Sequence, residues 1–289
     1  MSSPYTVSSA FATLILNHAG QSGLDPVRLR LAAGLDDAPL DHARHLPAEQ
    51  VERLWHGCAA QGAGADFGCA LATGISTTPL QGLNILLDSA ADLGASLDCL
   101  VRLHGKLGNY LPISLEADER GAELVLRLLA PELPHTYALD AITLTLVRNM
   151  ARRSGVPAQQ LFRRVQILPQ QACAAALRRW GLTPSRGDEV RLALDAHWLQ
   201  RPLLGRNEFL HHALRQRWES RAASTPGDAA LRLARFCLKS SDQPIEQIAA
   251  RAGYSQASNF IRAFRKHYGV TPKQFRLAPE GDRKLSVPA

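Results

Sequence analysis

Residues 244–276 decide the fold of the C-terminal part of the chain. They read PIEQIAARAGYSQASNFIRAFRKHYGVTPKQFR. A first helix is predicted over about 245–252, where apolar residues recur at i, i+3, i+4 and i+7. Gly253 follows at the position where helices commonly end in a left-handed residue. A short helix that ends in a glycine turn is typical of the first half of a helix-turn-helix.

A second helix is predicted over about 256–268, with Ser255 as its N-cap. Gly269 ends this helix, and Pro272 can open a last short one. At about 100° per residue, one face of the second helix is apolar and the opposite face is polar. The apolar face consists of Ala257, Phe260, Phe264 and Tyr268. The polar face lies within about 60° of Arg262 and consists of Ser258, Asn259, Arg262, Arg265 and Lys266.

The order of side chains along this polar face is the one that a DNA-recognition helix needs. Such a helix carries base-edge readers near its start and phosphate contacts around them. The alternative is an ordinary amphipathic surface helix whose charged face is only solvated. The candidate DNA-binding residues are Ser255, Gln256, Ser258, Asn259, Arg262, Arg265 and Lys266.

The positive charge of the chain is concentrated around the same segment. The chain has 289 residues and a net charge of +7. Residues 229–289 contain 11 Lys and Arg against 4 Asp and Glu, whereas the first 228 residues contain 22 of each sign. This asymmetry indicates a polyanionic partner for the C-terminal part. A basic tail that serves only solubility would not explain why the charge coincides with the motif.

Composition favours a cytoplasmic globular protein of two domains. Hydrophobic residues make up 46% of the chain and charged residues 20%, so a sizeable core can form. The five cysteines are odd in number and form no CxxC pair, which is typical of reduced thiols used as small apolar side chains. We expect neither a signal peptide nor a membrane span, because no basic region precedes an apolar core and no apolar run approaches 18 residues.

Motifs of common enzymes are missing from the sequence. It has no G-x-S-x-G, P-loop, G-x-G-x-x-G or H-E-x-x-H. His211 and His212 are adjacent, so on a helix they point about 100° apart and cannot share a metal ion. We therefore expect no catalytic residue, no metal site and no cofactor. Trp180 and Trp198 are expected in the core rather than in a ligand cage.

The N-terminal part is predicted to be a mixed α/β domain, which gives the chain an α+β fold. Residues 1–75 are mostly helical. Further on, strands and helices alternate, which favours a small mixed sheet covered by helices. The predicted elements are helices over 83–89 and 96–107, a β-hairpin within 111–129, a helix over 139–154, a strand over 162–168, a helix over 171–180 and a strand over 189–194.

The C-terminal segment resembles the second helix-turn-helix of bacterial AraC/XylS-type transcriptional regulators. The resemblance rests on IEQIA, AGYS, SNFIRAFRK and YGVTPKQFR, about a dozen positions over 33 residues. Ala234 and Leu238 match the linker helix of that family. The N-terminal part resembles the effector domain of the branch that includes ornithine-utilisation-regulator-like proteins, on residues 82–83, 92–97, 165–169 and 199–203. This second resemblance covers about 23–214 and implies a module that senses a ligand and dimerises, but it identifies neither an effector nor an effector-binding residue.

One region departs from the family pattern. AraC-type DNA-binding domains hold two helix-turn-helix units joined by a linker helix. Between Leu203 and Asp228 the sequence shows one amphipathic helix and a hinge-like cluster, but no Ala-x-x-x-Gly turn with a second recognition helix. The first unit is therefore predicted to be missing. The predicted division is an effector-sensing and dimerisation domain over 1–205, a connecting helix and hinge over 206–227, and a single-unit DNA-binding domain over 228–289.

The resemblance implies a sequence-specific, DNA-binding transcriptional regulator that is controlled by a small-molecule effector, and not an enzyme. The implied partners are double-stranded DNA, an unidentified effector and a second copy of the chain in a homodimer, with RNA polymerase as a further candidate. The alternative is an interaction protein that no longer binds DNA and that silences a full-length paralogue by forming mixed dimers with it.

Overall fold

A computed structural model describes residues 5–35, 40, 45–74, 82–128, 134–220, 231, 234–235, 237–238, 243–252, 254 and 256–277. The chain divides into two compact units. One contains residues 6–221, and the other contains residues 222–289 together with residues 1–5. The predicted hinge lies outside the described residues.

The first part of the N-terminal unit is helical, as predicted. Its helices are α1 (Ser9–Gln21), α2 (Pro26–Ala33), α3 (Ala48–Ala60) and α4 (Phe67–Gly74). Asp25 caps α2, since its Oδ1 accepts hydrogen bonds from the backbone N–H groups of Val27 and Arg28 at 2.9 and 3.2 Å. The prediction missed a small antiparallel pair, β1 (Thr6–Ser8) and β2 (His45–Pro47). Strands of three residues are too short to show an alternating pattern.

The remaining helices of this unit are α5 (Leu83–Asp88), α6 (Leu93–Leu103), α7 (Thr136–Ser154), α8 (Ala158–Leu161), α9 (Ala174–Arg179), α10 (Ala196–Leu199) and α11 (Glu208–Ser220). Helix α6 begins three residues earlier than predicted. The cause is Asp92, whose Oδ1 accepts a hydrogen bond from the backbone N–H of Ala95 at 2.7 Å and so fixes the helix start. A 3-10 turn, His104–Lys106, follows α6.

A five-stranded mixed sheet forms the second half of this unit. Its strands are β3 (Ile113–Asp118), β4 (Gly121–Leu126), β5 (Phe162–Ile167), β6 (Ser185–Arg186) and β7 (Val190–Asp195), in the order β3-β4-β7-β5-β6. The predicted hairpin is confirmed: β3 and β4 are antiparallel, with Asp118 opposite Gly121. Among the described strands of this sheet, only β5 and β6 pair in parallel. Glycine is required at 121, because a Cβ there would lie 2.2 Å from the carbonyl oxygen of Leu194.

The core of this unit lies between the sheet and the helices. Leu124 and Leu192 of the sheet are fully buried, as are Leu139, Leu144 and Val147 of α7. Helices α4 and α7 approach each other so closely that a Cβ at Gly68 would meet the backbone of Tyr137. All five cysteines are buried, which fits their predicted use as small apolar side chains.

The expectation that Trp180 and Trp198 belong to the core is wrong. Both rings are half-buried. Each lies at or near the end of a very short helix, α9 or α10, and the guanidinium of Arg201 lies 5.5 Å from the ring centroid of Trp198. The buried tryptophans are Trp55 and Trp218.

The C-terminal unit is helical over its described residues. Its helices are α12 (Ile245–Arg251), α13 (Ala257–Tyr268) and α14 (Pro272–Leu277). Gly269 ends α13, as predicted, and has the left-handed conformation with φ of 76°. Upstream, Ala234 and Leu238 are helical and buried. No described helix of either unit is both long and apolar enough to cross a membrane.

Candidate nucleic-acid interface and internal pocket

Aromatic packing fixes the orientation of α13. Phe260 and Phe264 have no exposed surface. The Phe264 ring centroid lies 5.6 Å from that of Phe260, 4.7 Å from Tyr268 and 5.8 Å from Phe275 of α14. Such tilted and edge-on pairs stabilise aromatic clusters beyond simple burial. The predicted aromatic face is therefore confirmed, and it leaves the opposite face of α13 outward.

Helix α12 is held against this cluster by its own apolar face. Ile248 and Ala249 are each 1% exposed. The backbone N–H of Tyr254 donates to the carbonyl of Ala249 at 2.9 Å, so the chain turns back after α12. The Tyr254 ring then lies 5.5 Å from that of Phe260. These contacts give the described part of the unit the geometry of a helix-turn-helix.

Two arginines of the unit have structural contacts. The guanidinium of Arg235 lies 5.5 Å from the ring centroid of Tyr268 and 5.6 Å from that of Phe275. Arg276 donates to the carbonyl of Gln243 at 2.5 Å. Part of the positive charge counted in the sequence therefore supports the fold of the unit.

The outward face of α13 brings most of the candidate DNA-binding side chains together. All of those that the structure describes are exposed: Gln256, Ser258, Asn259, Arg262, Arg265 and Lys266. Arg262 Nη2 donates to Asn259 Oδ1 at 2.9 Å, which joins the two central side chains of the face. The helix begins at Ala257, with Gln256 at the N-cap position and no side-chain hydrogen bond at the cap, so the predicted N-cap at Ser255 is one residue too early. Gly253 and Ser255 lie outside the described residues.

The N-terminal unit contains a pocket of about 160 Å³, which the sequence did not predict. We call it the α7 pocket, because α7 lines it from Ala138 to Arg153. Strand β1, helices α1, α3, α4, α5 and α6 and the segment before β3 supply the other walls. Most of the lining is apolar, including Phe11, Ile15, Val51, Trp55, Leu100 and Met150. No linear motif could have revealed it, because its lining comes from segments far apart in the chain.

Two polar groups at the pocket wall have internal partners. His104 donates from Nδ1 to the carbonyl of Val101 at 2.8 Å and accepts at Nε2 from the backbone N–H of Ile113 at 3.1 Å. Burial lowers the pKa of His104, which favours the neutral ring. Arg153 Nη1 donates to Ser96 Oγ at 2.8 Å, and its Nε lies 3.3 Å from Asp88 Oδ1. Burial lowers the pKa of Arg153 to about 10, so the guanidinium stays charged at neutral pH.

Asn149 is a further polar residue at the pocket wall. It lies on α7 one turn before Arg153, lines the pocket and is 5% exposed. Its side-chain Oδ1 is buried without a hydrogen-bond partner. A buried carbonyl oxygen of this kind costs free energy until a donor reaches it.

The described residues contain no group of three or more His, Cys, Asp and Glu placed to hold a metal ion. The Nδ1 atom of His211 lies 3.0 Å from the carbonyl oxygen of Leu86. The α13 face and the α7 pocket are therefore the candidate functional sites among the described residues.

Comparison with known protein families assigns both units. Residues 23–203 match the family described as the arabinose-binding domain of AraC transcription regulator, N-terminal. Residues 210–278 match a helix-turn-helix domain family. The second match begins within α11, upstream of the boundary predicted at 228.

Several curated relatives share a short segment with this chain. The HTH-type transcriptional activator CfaD and the DNA-binding dual transcriptional regulator Rns, both from Escherichia coli, are each 55% identical over 42 residues. The HTH-type transcriptional activator CsvR, also from Escherichia coli, is 52% identical over 42 residues. The matches cover 14% of this chain and 16% of each relative, so the chain spans only about a sixth of the length of these proteins.

A solved structure is similar over nearly the whole chain. The crystal structure of transcriptional regulator CdpR from Pseudomonas aeruginosa matches with a TM-score of 0.52 and 15% sequence identity. The match covers 93% of this chain and 98% of that one. At this identity the likeness concerns the fold.

Proposed function

Because the chain belongs to the AraC family of transcription regulators, we propose that it binds DNA sequence-specifically and regulates transcription under the control of a small-molecule effector. The observation that carries the proposal is the α13 face. Its polar and cationic side chains are exposed while the aromatic side chains of the same helix are buried. The helix can therefore enter a major groove without disturbing the core of the unit.

The positions of the side chains suggest separate roles. Arg262 lies at the centre of the face, and an arginine fork suits the O6 and N7 atoms of guanine. Asn259, which accepts the hydrogen bond from Arg262, has the amide that suits an adenine edge. Arg265 and Lys266 lie further along the helix, where phosphate contacts supply affinity for any sequence.

We also propose that the chain acts as a homodimer. If the first helix-turn-helix unit is missing, one recognition helix reads only a few base pairs and makes few phosphate contacts. The described residues between 203 and 228 include one helix, α11, and residues 221–228 lie outside the described part, so the missing unit stays a prediction. A two-fold dimer would supply a second recognition helix, and half-sites would lie one helical turn or a multiple apart.

The alternative, a protein that only silences a paralogue through mixed dimers, is less well supported. It gives no role to the exposed cations of α13. It also leaves unexplained why the excess positive charge of the chain follows residue 228.

The proposal is tested by selecting DNA duplexes from a random library with the full-length chain. We expect enrichment of a defined sequence. Arg262→Ala should cost about 1–3 kcal/mol on the selected duplex and relax the preference at one base pair. Arg265→Ala and Lys266→Ala should weaken binding to selected and random duplexes alike, and each should lower the salt slope by about 1.

Lys273→Ala provides a matched control, because it removes one exposed positive charge from α14 rather than α13. It should leave the base preference unchanged. Equal losses for Arg262→Ala on selected and random DNA would show that Arg262 contacts only phosphate. A library without any enriched sequence would overturn the proposed function and favour the mixed-dimer alternative.

The dimer is tested separately by light scattering on the full-length chain, with and without a selected duplex. We expect twice the mass of the chain without DNA, and the mass of two chains plus one duplex with it. A monomer that binds one half-site tightly would contradict the dimer while leaving sequence-specific DNA binding intact.

A further inference from the structure

The proposed function includes an effector, and the α7 pocket is suited to hold one. Several apolar side chains that line it are only half-buried, among them Phe11, Leu14, Ile142 and Leu146. In the core around them, side chains of the same kind are almost completely buried. A ligand that covers these side chains gains the free energy of burying apolar surface.

The size of the pocket limits the ligand. Its volume is about 160 Å³, and an apolar protein cavity of about 150 Å³ is known to take up benzene. The pocket therefore suits a molecule with the bulk of one aromatic ring or a short branched aliphatic group.

The polarity of the lining limits the ligand further. A pentose carries several hydroxyl groups, and each of them needs a partner when it is buried. His104 already has partners for both ring nitrogens, and Arg153 is engaged by Asp88 and Ser96. Besides these two residues and Asn149, the polar side chains of the lining are Asn84, Tyr110 and Thr145, and the rest of the lining is apolar. The pocket is therefore poorly suited to a sugar, although the matching family is named for an arabinose-binding domain.

Asn149 supplies a polar contact for a ligand. Its Oδ1 is buried, lacks a hydrogen-bond partner and belongs to a side chain that lines the pocket. We propose that the α7 pocket binds a small, largely apolar, uncharged effector of about one ring in size, whose single hydroxyl or N–H group donates a hydrogen bond to Asn149 Oδ1. This inference rests on the proposed function, since it names the chemical class of the effector.

The test measures ligand binding directly, by calorimetry and by the rise in Tm of the full-length chain without DNA. The probes are phenol, toluene, benzoate and L-arabinose. We expect phenol to bind about tenfold more tightly than toluene, which has the same bulk but no hydroxyl donor. Benzoate and L-arabinose should bind more weakly than phenol.

Variants distinguish the contribution of the hydrogen bond to Asn149 from that of the apolar lining of the pocket. Asn149→Leu should lower the affinity for phenol about tenfold and leave that for toluene at least as high, because only the hydrogen bond is lost. Ala141→Leu adds bulk to a buried residue that lines the pocket and should abolish binding of both. Ala175→Leu makes the same change at an exposed position of α9 and should alter neither affinity.

Several results would overturn the inference. Phenol and toluene could bind equally well to the unmodified chain, a comparison that requires no variant to fold. L-arabinose could bind more tightly than phenol, or benzoate could do so through Arg153. Because no DNA is present, failure here is distinct from failure of the DNA selection, which tests the proposed function itself.

Discussion

The two candidate sites of this chain are built in different ways. Every described candidate side chain of the α13 face comes from Gln256 and the twelve residues of one helix. The lining of the α7 pocket comes from β1, from five helices besides α7 and from the segment before β3. A change on the α13 face should therefore alter one contact, whereas a change in the pocket should alter packing between several elements.

The largest expected effect is a loss of stability on substitution of the buried face of α13, compared with its exposed face. Phe264→Ala removes a fully buried ring from the aromatic cluster and should cost about 3–5 kcal/mol, enough to unfold a small unit. Hydrogen exchange of the full-length chain should show loss of protection in α12, α13 and α14 while residues 6–220 stay protected.

Arg265→Ala is the matched control, because it truncates an exposed side chain of the same helix. It should leave the exchange pattern unchanged. If Phe264→Ala left α13 protected, or if both variants had the same effect, the assignment of a buried and an outward face would be wrong.

The next effect concerns buried polar groups of the N-terminal unit. Glu52 is 5% exposed; its Oε2 accepts from the backbone N–H of His135 at 2.8 Å, but its Oε1 is buried without a partner. Burial raises the pKa of Glu52 to about 7. Between about pH 4.5 and 7 the folded protein keeps the proton that the unfolded chain releases, so the free energy of unfolding falls as pH rises. The Glu52 carboxyl group lowers the free energy of unfolding over this pH range by at most about 3 kcal/mol.

Glu52→Gln keeps the shape of the side chain and removes its titration. The variant should therefore gain stability relative to the unmodified chain between pH 5 and pH 8 in urea unfolding experiments. Burial lowers the pKa of the neighbouring His135 to about 4, which gives a slope of opposite sign. That slope is present in both proteins and cancels in the difference. A difference in stability that is the same at pH 5 and pH 8 would contradict the prediction.

The same comparison explains what the sequence could predict. The α13 face repeats with the period of a helix, so Phe260, Phe264 and Arg262 could be assigned to opposite sides from the residue spacing alone. The glycine at 269 and the proline at 272 marked the helix ends for the same local reason. Longer elements such as α7 and the β3–β4 hairpin were also predicted, since their patterns extend over many residues.

The α7 pocket depends on distances between elements, and these do not follow from any local pattern. Asn149 lies in an amphipathic helix, and the sequence of that helix does not distinguish it from an exposed polar residue. Its burial depends on the packing of other elements, such as α1 and α6, around the pocket. The short strands β1, β2 and β6 were missed because two or three residues show no period. Trp198 was misplaced because residue type predicts burial only on average, and α10 is a helix of four residues.

The smallest expected effect concerns the start of α14, the helix that packs against α13 through Phe275. Gln274 Oε1 accepts from the backbone N–H of Thr271 at 2.9 Å, and Thr271 Oγ1 accepts from the backbone N–H of Gln274 at 3.3 Å. This reciprocal capping box begins α14 and so positions Phe275 against Phe264. Thr271→Ala should cost about 1 kcal/mol in the stability of the C-terminal unit, measured by hydrogen exchange of the full-length chain.

Thr271→Ser keeps the hydroxyl and should restore most of the lost stability. Combining Thr271→Ala with Gln274→Ala should cost less than the two single changes together, because both belong to one box. Equal losses for the Ala and Ser variants would show that the threonine methyl group, rather than the cap, stabilises the start of α14.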